Sequence, residues 1–279
     1  MLLSKSMTFV LCVLGTFLLS LPLVALSLCS LWRPSPTPQS PDTSLQNSLS
    51  CFSPSEQTNT LGFLRGFAST IPDLESSWVG DNYCSWTGVH CRGGGVTVNL
   101  AEFRIRTDGA SLPELAADVD GAQVAVTHLY LYHQGAKLQG SLPASWSRLD
   151  RLESLMLMDN ALTGPLPDAW GSQGKMKALR SLMLSLNAFS GTLPSSWTSL
   201  WNLHTVVLAS NAFEGPLPPA WGEMPVLFLV DVSGNHLCGC VPEEWSSRGI
   251  LDLIADAALT ASNCSTANTC SSSVKPQLL

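Results

Sequence analysis

The sequence predicts an α/β solenoid: short parallel strands on a concave face, 3-10 or irregular turns on a convex side, and a disulfide-closed cap at each end. Three observations predict this fold. Spacings of 24, 27, 24 and 24 residues separate five tryptophans, Trp146, Trp170, Trp197, Trp221 and Trp245. The form LxxLxLxxNxLxGxLPxxW recurs four times in register with them, and cysteines flank the repeats on both sides. A fixed period of this size indicates stacked units rather than a single globule.

The composition excludes several classes of partner. Only 13% of the 279 residues are charged, and the net charge is −7. Because no Lys/Arg cluster is present to neutralise phosphates, neither nucleic acid nor anionic lipid is expected as the main partner. The sequence contains neither HExxH nor GxSxG. We therefore expect a protein that is not an enzyme and that uses no cofactor or metal ion.

The first 31 residues predict export from the cell. Lys5 precedes 25 uncharged residues, Met7–Leu31. Ala25 and Ser27 are the small pair expected before a signal cleavage site, so residues 1–27 are predicted to be a signal sequence. The run also has the length of an uncleaved membrane anchor, and this alternative stays open. Residues 28–50, which include "RPSPTPQSPD", predict an extended spacer. Either way the protein is expected to be secreted or on the cell surface, where disulfides form.

Residues 51–95 predict an N-terminal cap. Helical spacing connects Leu61, Leu64, Phe67 and Ala68. The predicted helix starts at Asn59 or Thr60 and ends at Ile71-Pro72. Cys84 and Cys91 enclose "SWTGVH" and predict a local disulfide. Cys51 is left over, and the sequence does not decide its state.

Each fixed letter of the repeats, residues 96–250, has a physical reason. The last two apolar residues of LxxLxL lie on one side of a strand too short to be stable without the same strand of the next coil. The asparagine that follows is expected to bond the backbone of adjacent coils as a ladder. The four ladder residues are Asn160, Asn187, Asn211 and Asn235. The glycine permits a bend, Leu-Pro enforces an extended segment, and tryptophan fills the outer core. An earlier copy begins at Val126 and a degenerate one near Val96.

Residues 251–279 predict a C-terminal cap and tail, and the cap cysteines begin earlier, in "CGCVPEEW". Four cysteines, Cys238, Cys240, Cys264 and Cys270, allow three pairings. Because cysteines one residue apart rarely bond to each other, two bridges to Cys264 and Cys270 are expected, with the choice of partner open. Asn263-Cys264-Ser265 matches the N-glycosylation form, which makes Asn263 a candidate acceptor.

The repeat is a leucine-rich repeat, and its LxGxLP element resembles the plant-type subclass. The cap "CSWTGVHC" resembles the C-x-W-x-G-V-x-C caps of plant leucine-rich-repeat proteins. Together with "GTLPSSWTSL" and "GCVPEEW", the chain from Thr58 to about Cys270 resembles the promastigote surface antigens of Leishmania and related trypanosomatids. The resemblance implies a surface or secreted glycoprotein that meets host proteins, with a complement-receptor integrin as the partner linked to the family. Family members often carry a hydrophobic tail for a lipid anchor; "CSSSVKPQLL" is not of that kind, so no lipid anchor is expected.

The strand positions between the inward leucines are predicted to face the concave surface. In the first three full repeats they are rich in Tyr, His and Met, a combination suited to protein contact. The predicted protein-binding patch consists of His128, Tyr130, Tyr132, Met156, Met158 and Met183. Two alternatives are that this face binds nothing and that the patch packs against a flanking segment. The predicted function is adhesion or host interaction, and the alternatives are a secreted enzyme inhibitor and a structural coat component.

Overall fold

The computed structural model describes residues 48–248 and 252–270, so the predicted signal or anchor at 1–27 lies outside the described residues, as does nearly all of the spacer. The described part is a stack of coils with two sheets, and the predicted leucine-rich-repeat solenoid is confirmed. One continuous apolar core runs from Phe52 in the N-terminal cap to Leu259 in the C-terminal cap. Within the described residues, no helix combines the length and the apolar character that crossing a bilayer requires.

The first sheet, called the concave sheet below, takes one strand from each coil. With strands numbered along the chain, it contains β1 (Val89–Arg92), β2 (Gly95–Asn99), β4 (Val126–Tyr130), β6 (Ser154–Met156), β8 (Ser181–Met183), β10 (Thr205–Val207), β12 (Leu229–Asp231) and β14 (Asp252–Ile254). The strands lie in that order and pair in parallel, except that β1 is antiparallel to β2. Because β2 pairs with β4, the degenerate copy near Val96 forms a coil of its own.

A second parallel sheet forms where the sequence predicted only turns and extended segments. Its strands are β3 (Ala110–Ser111), β5 (Gly135–Gly140), β7 (Asn160–Gly164), β9 (Ala188–Gly191), β11 (Ala212–Pro216) and β13 (His236–Cys238). From β5 onward these strands coincide with the LxG part of the repeat, with phenylalanine in place of leucine in β9 and β11. Stacking equivalent coils brings each extended segment within pairing distance of the next one.

Short 3-10 turns follow the Leu-Pro pairs on the convex side, as predicted. They span Ala144–Arg148, Asp168–Gly171, Ser195–Ser199 and Pro219–Glu223. At one junction a Cβ added to Gly171 would lie 2.4 Å from the backbone of Ser196 in the next turn. Only glycine therefore permits these two turns to approach so closely.

Four of the five lattice tryptophans lie in these turns and Trp245 lies in the helix Glu243–Arg248. All five are at most 1% exposed. From Trp170 onward the rings stack with centroids 6.0–6.1 Å apart and planes within 9° of parallel. Trp146 instead contacts Phe63 edge-on at 5.9 Å, so the column ends against the N-terminal cap. Each indole N–H donates to the carbonyl of a proline in the preceding coil, at 2.8–3.1 Å. The alignment was predicted from the spacing, whereas this hydrogen bond was not.

The predicted asparagine ladder is confirmed. Each of the four amides donates to carbonyls of its own coil and to one carbonyl of the preceding coil; Asn160, for example, donates to Leu157 and Leu131 at 2.8 Å each. Its side-chain oxygen accepts the backbone N–H of Gln134 at 3.1 Å. Gln134 occupies the ladder position of the first full coil and donates to the carbonyl of Leu100. The ladder therefore satisfies backbone groups that the inward turns would leave buried without partners.

The residue before each ladder position adopts a left-handed backbone conformation. The φ values are 57–62° at the four non-glycine sites, His133, Asp159, Leu186 and Ser210, and 66° at Gly234. This conformation is unusual for a side chain such as that of Leu186, which is also 53% exposed. The sequence gives no signal for this conformation, because only one of the five positions carries glycine.

The N-terminal helix begins earlier than predicted. Helix α1 spans Pro54–Thr70, with Ser53 as its N-cap and Glu56 completing a capping box. Asn59 and Thr60, the predicted start, lie inside the helix, and their side-chain oxygens accept the backbone N–H groups of Asp120 and Ala125. These two polar residues attach the cap to the first coil instead of starting the helix. The predicted end at Ile71 is confirmed.

Glu56 links this helix to the repeats. Its carboxylate accepts the backbone N–H of Ser53 at 2.8 Å and the guanidinium of Arg151, which also donates to the carbonyl of Gly94. Burial raises the pKa of Glu56, but the hydrogen bonds from Ser53 and the Arg151 charge lower the pKa more, so the net pKa lies below the ordinary value. The charged form is therefore favoured in the folded protein.

Glu56→Gln should lower the unfolding free energy at neutral pH by about 1 kcal/mol, because glutamine keeps the cap but loses the charge. A depressed folded-state pKa stabilises the protein above the unfolded pKa, and this contribution is lost as the pH falls through the folded pKa. The difference between wild type and variant should thus shrink as the pH falls below about 4.5. Urea titrations between pH 7 and 3 measure it. Asp81→Asn, which breaks the exposed pair with Arg65, is the control with little effect. A difference independent of pH would contradict the ionic link.

The C-terminal cap continues the solenoid before closing it. It contains α2 (Glu243–Arg248), β14, α3 (Ala257–Thr260) and α4 (Cys264–Ala267). Pairing of β14 with β12 adds one more strand to the concave sheet beyond the last recognisable repeat. Two disulfides join Cys238 to Cys270 and Cys240 to Cys264. The two bridges thereby connect the end of β13 and the residues just after it to the last part of the cap.

The concave sheet as a candidate binding face

Parallel pairing aligns the outward side chains of the concave sheet in rows. One row contains His128 beside Ser154, followed by Ser181. The next contains Tyr130, Met156 and Met183 as direct partners on β4, β6 and β8. Tyr132 and Met158 follow two residues beyond Tyr130 and Met156. The structure therefore places all six residues of the predicted patch on three adjacent coils.

Their exposure divides the patch into two parts. His128, Tyr130 and Tyr132 are half-buried, whereas Met156, Met158 and Met183 are only 2–3% exposed. The three methionines do not belong to the apolar core, which is formed by side chains on the other side of the sheet. Strands about 4.8 Å apart place neighbours on both sides of each methionine. The structure thus differs from the expected open patch: its accessible part is the aromatic end.

Burial also sets the charge of this aromatic end. It lowers the pKa of His128, an effect that nearby Glu153 partly opposes, and it raises the pKa of Tyr130. His128 is therefore neutral at pH 7, with its Nδ1 2.9 Å from the hydroxyl of Thr127. Its ring meets that of Tyr130 edge-on at 5.8 Å. The two aromatic side chains form an uncharged surface.

A polar rim borders the aromatic end. His133 Nδ1 lies 2.8 Å from a carboxylate oxygen of Asp159, and both side chains are at least half exposed. These are two of the left-handed residues described above, so the backbone turn directs both to the surface. The ring of Tyr132 also packs edge-on against His133 at 5.0 Å. An apolar centre with a polar rim is the usual arrangement of a protein contact.

The remaining predicted site residues lie in the caps. A disulfide joins Cys84 to Cys91, which lies in β1, and the four C-terminal cysteines form the two bridges described above. Asn263 is exposed immediately before α4, and the following residue, Cys264, is held by its disulfide. Glycosylation of Asn263 stays a prediction.

The stacked coils, the asparagine ladder and the disulfide-closed caps define a leucine-rich-repeat protein of the extracellular type. No family model matches the chain. Over 101 residues the chain is 37% identical to "Surface membrane glycoprotein GP46/M-2" of Leishmania amazonensis. This stretch is 36% of the chain and covers 21% of that relative. The resemblance to Leishmania surface antigens is thus confirmed over this stretch. This likeness and the disulfides also confirm the predicted secreted or cell-surface localisation.

Solved structures support the fold. The structure titled "Crystal structure of PEPR1-AtPEP1" matches 72% of this chain and 28% of its own, with a TM-score of 0.58 and 24% identity. A plant ice-binding protein matches 70% of this chain and 61% of its own, with a TM-score of 0.54 and 23% identity. At these identities the likeness extends to the solenoid architecture and no further.

Proposed function

We propose that this protein is an extracellular protein-binding module that contacts a host or surface protein through the aromatic end of its concave sheet. The observation that carries the proposal is the cluster of His128, Tyr130 and Tyr132. These are half-buried, uncharged aromatic side chains, held rigidly by β4 and the ladder turn after it. Aromatic residues of this kind often dominate the affinity of protein contacts. The likeness to a surface membrane glycoprotein supports an exposed, interacting role.

The nearly enclosed methionines act as supports in this proposal rather than as contacts. Met156 is the direct neighbour of Tyr130 on the next strand, so it limits the movement of the tyrosine ring. A side chain that is already ordered loses less conformational entropy on binding. Asp159 and Glu153 place negative charge around the aromatic end, which favours a partner surface with complementary positive charge.

The double variant Tyr130→Ala/Tyr132→Ala should bind its partner at least about tenfold more weakly. The complement-receptor integrin implied by the family resemblance is the first partner to test, by surface plasmon resonance with the purified protein. Val79→Ala is the matched control, because Val79 is 65% exposed and lies in the N-terminal cap. Val79→Ala should keep the wild-type melting temperature, and the double variant should still unfold in one cooperative transition at a somewhat lower temperature, because both tyrosines are half-buried.

Unchanged affinity of the double variant would exclude the aromatic end as the contact. Absence of wild-type binding to the integrin would exclude that partner. If the protein instead inhibited a secreted hydrolase, or bound only to other copies of itself, the result would favour the inhibitor or the coat-component alternative.

A further inference from the structure

Trp201 differs from every other tryptophan that the structure describes. It is 67% exposed, whereas the others are at most 5% exposed. In the repeat register, the equivalent residues of neighbouring coils are Asp150, Lys177 and Pro225. The fold therefore does not require tryptophan at this position. A large indole left in water forgoes the burial that stabilises the other tryptophans.

Trp201 lines an open groove of about 440 Å³ on the convex side. Lining residues come from three successive coils and include Gln173, Thr198, Ser199, Glu223 and Pro225. They belong to the 3-10 turns and to the segments after them, and none belongs to the concave sheet. The groove is therefore separate from the proposed protein contact.

The turns beneath the groove are tied together by hydrogen bonds. The Ser199 hydroxyl donates to the carbonyl of Gly171 in the preceding coil. The Ser196 hydroxyl lies 3.0 Å from the carboxylate of Asp168 in the same preceding coil. Close approach at Gly171 adds a steric limit to their movement. The turns that form the floor of the groove are thus held in place before any ligand arrives, which reduces the entropy lost on binding.

The chemistry of the lining selects a class of ligand. It offers one broad aromatic face, the hydroxyls of Thr198 and Ser199, the primary amide of Gln173 and the carboxylate of Glu223. A pyranose ring has a face of C–H groups and a rim of hydroxyls that both donate and accept. An indole covers the former, and hydroxyl, amide and carboxylate groups satisfy the latter. No Lys or Arg is among the lining residues, so an anionic ligand would meet Glu223 without compensation.

We propose that this groove binds a neutral saccharide, with Trp201 stacked on a pyranose ring and Glu223 accepting hydrogen bonds from its hydroxyls. The site goes beyond the proposed protein contact and does not depend on it. A saccharide in this position would lie across the 3-10 turns while the concave sheet remained free.

Isothermal titration calorimetry with four neutral hexasaccharides, maltohexaose, cellohexaose, mannohexaose and galactohexaose, tests the proposal on the full chain. At least one should bind saturably. Trp201→Ala and Glu223→Gln should each weaken that binding roughly tenfold or more. Val79→Ala and Tyr130→Ala/Tyr132→Ala should leave it unchanged. Because Trp201 and Glu223 are exposed, the variants are expected to fold normally, which circular dichroism checks.

Three results would overturn the proposal. The first is no saturable binding of any of the four hexasaccharides by the wild-type protein. The second is equal binding by wild type and Trp201→Ala. The third is that Trp201→Ala loses integrin binding while no hexasaccharide binds to the wild-type protein. This result would make the groove part of a protein contact.

Discussion

Replacing Trp197 with alanine is expected to lower the unfolding free energy by about 3–5 kcal/mol. The same replacement at Trp201, four residues later, is expected to change it by less than about 0.5 kcal/mol. Trp197 is fully buried, and its ring lies between those of Trp170 and Trp221, with centroids 6.1 Å away on each side. Its N–H also donates to the carbonyl of Pro167 at 3.1 Å. Alanine would remove both stacking contacts and the indole donor, leaving the Pro167 carbonyl with only the backbone N–H of Trp170, at 3.2 Å.

Urea denaturation followed by circular dichroism measures both variants. Trp197→Phe separates the two contributions, since phenylalanine keeps a stacked ring but lacks the indole N–H, and its loss should be intermediate. A coil in the middle of a solenoid also couples the coils on either side. We therefore expect the Trp197→Ala transition to be broader than that of wild type. Equal destabilisation by the two alanine variants would contradict the tryptophan column as a source of stability.

Replacing Asn211 with leucine is expected to cost about 3 kcal/mol or more, because leucine has a similar volume but no polar atoms. The Asn211 amide donates to the carbonyls of Leu184 and Leu208 at 3.0 and 2.9 Å, and its oxygen accepts the N–H of Phe189 at 3.0 Å. The Phe189 N–H would lose its acceptor, whereas the carbonyls of Leu184 and Leu208 would each lose one of two amide donors and keep the other, from Asn187 and Asn235. Buried backbone groups without partners carry their full desolvation cost.

Asn202→Leu is the matched control. Asn202 is exposed and makes a single bond to the carbonyl of Lys177, at 2.7 Å, so the same change should cost less than about 1 kcal/mol. Hydrogen exchange identifies the site of the effect. In Asn211→Leu the Phe189 amide should exchange faster than in wild type. Retained protection of that amide, with unchanged stability, would show that the ladder does not hold adjacent coils together.

Prediction from the sequence failed where distant parts of the chain interact. Asn59 and Thr60 have side chains that often cap helices, but here these side chains accept the backbone N–H groups of Asp120 and Ala125. Ser53 caps the helix instead. The second sheet was missed because each of its strands is short and gains its partners only from neighbouring coils. The methionines of the concave face were expected to be open, since alternation indicates which side of a strand a residue occupies but not how much of it neighbours cover.

The sequence by itself determined the solenoid, its coil length, the asparagine ladder and the alignment of the five tryptophans. These features repeat with one period, so a single local pattern multiplied along the chain defines them. Only the tertiary structure decided which C-terminal cysteines pair, which part of the concave patch is accessible, and that Trp201 lines a groove across three coils. Each of these depends on the distance between side chains of different coils. A repeat pattern fixes the order of those coils but not the space left between their surfaces.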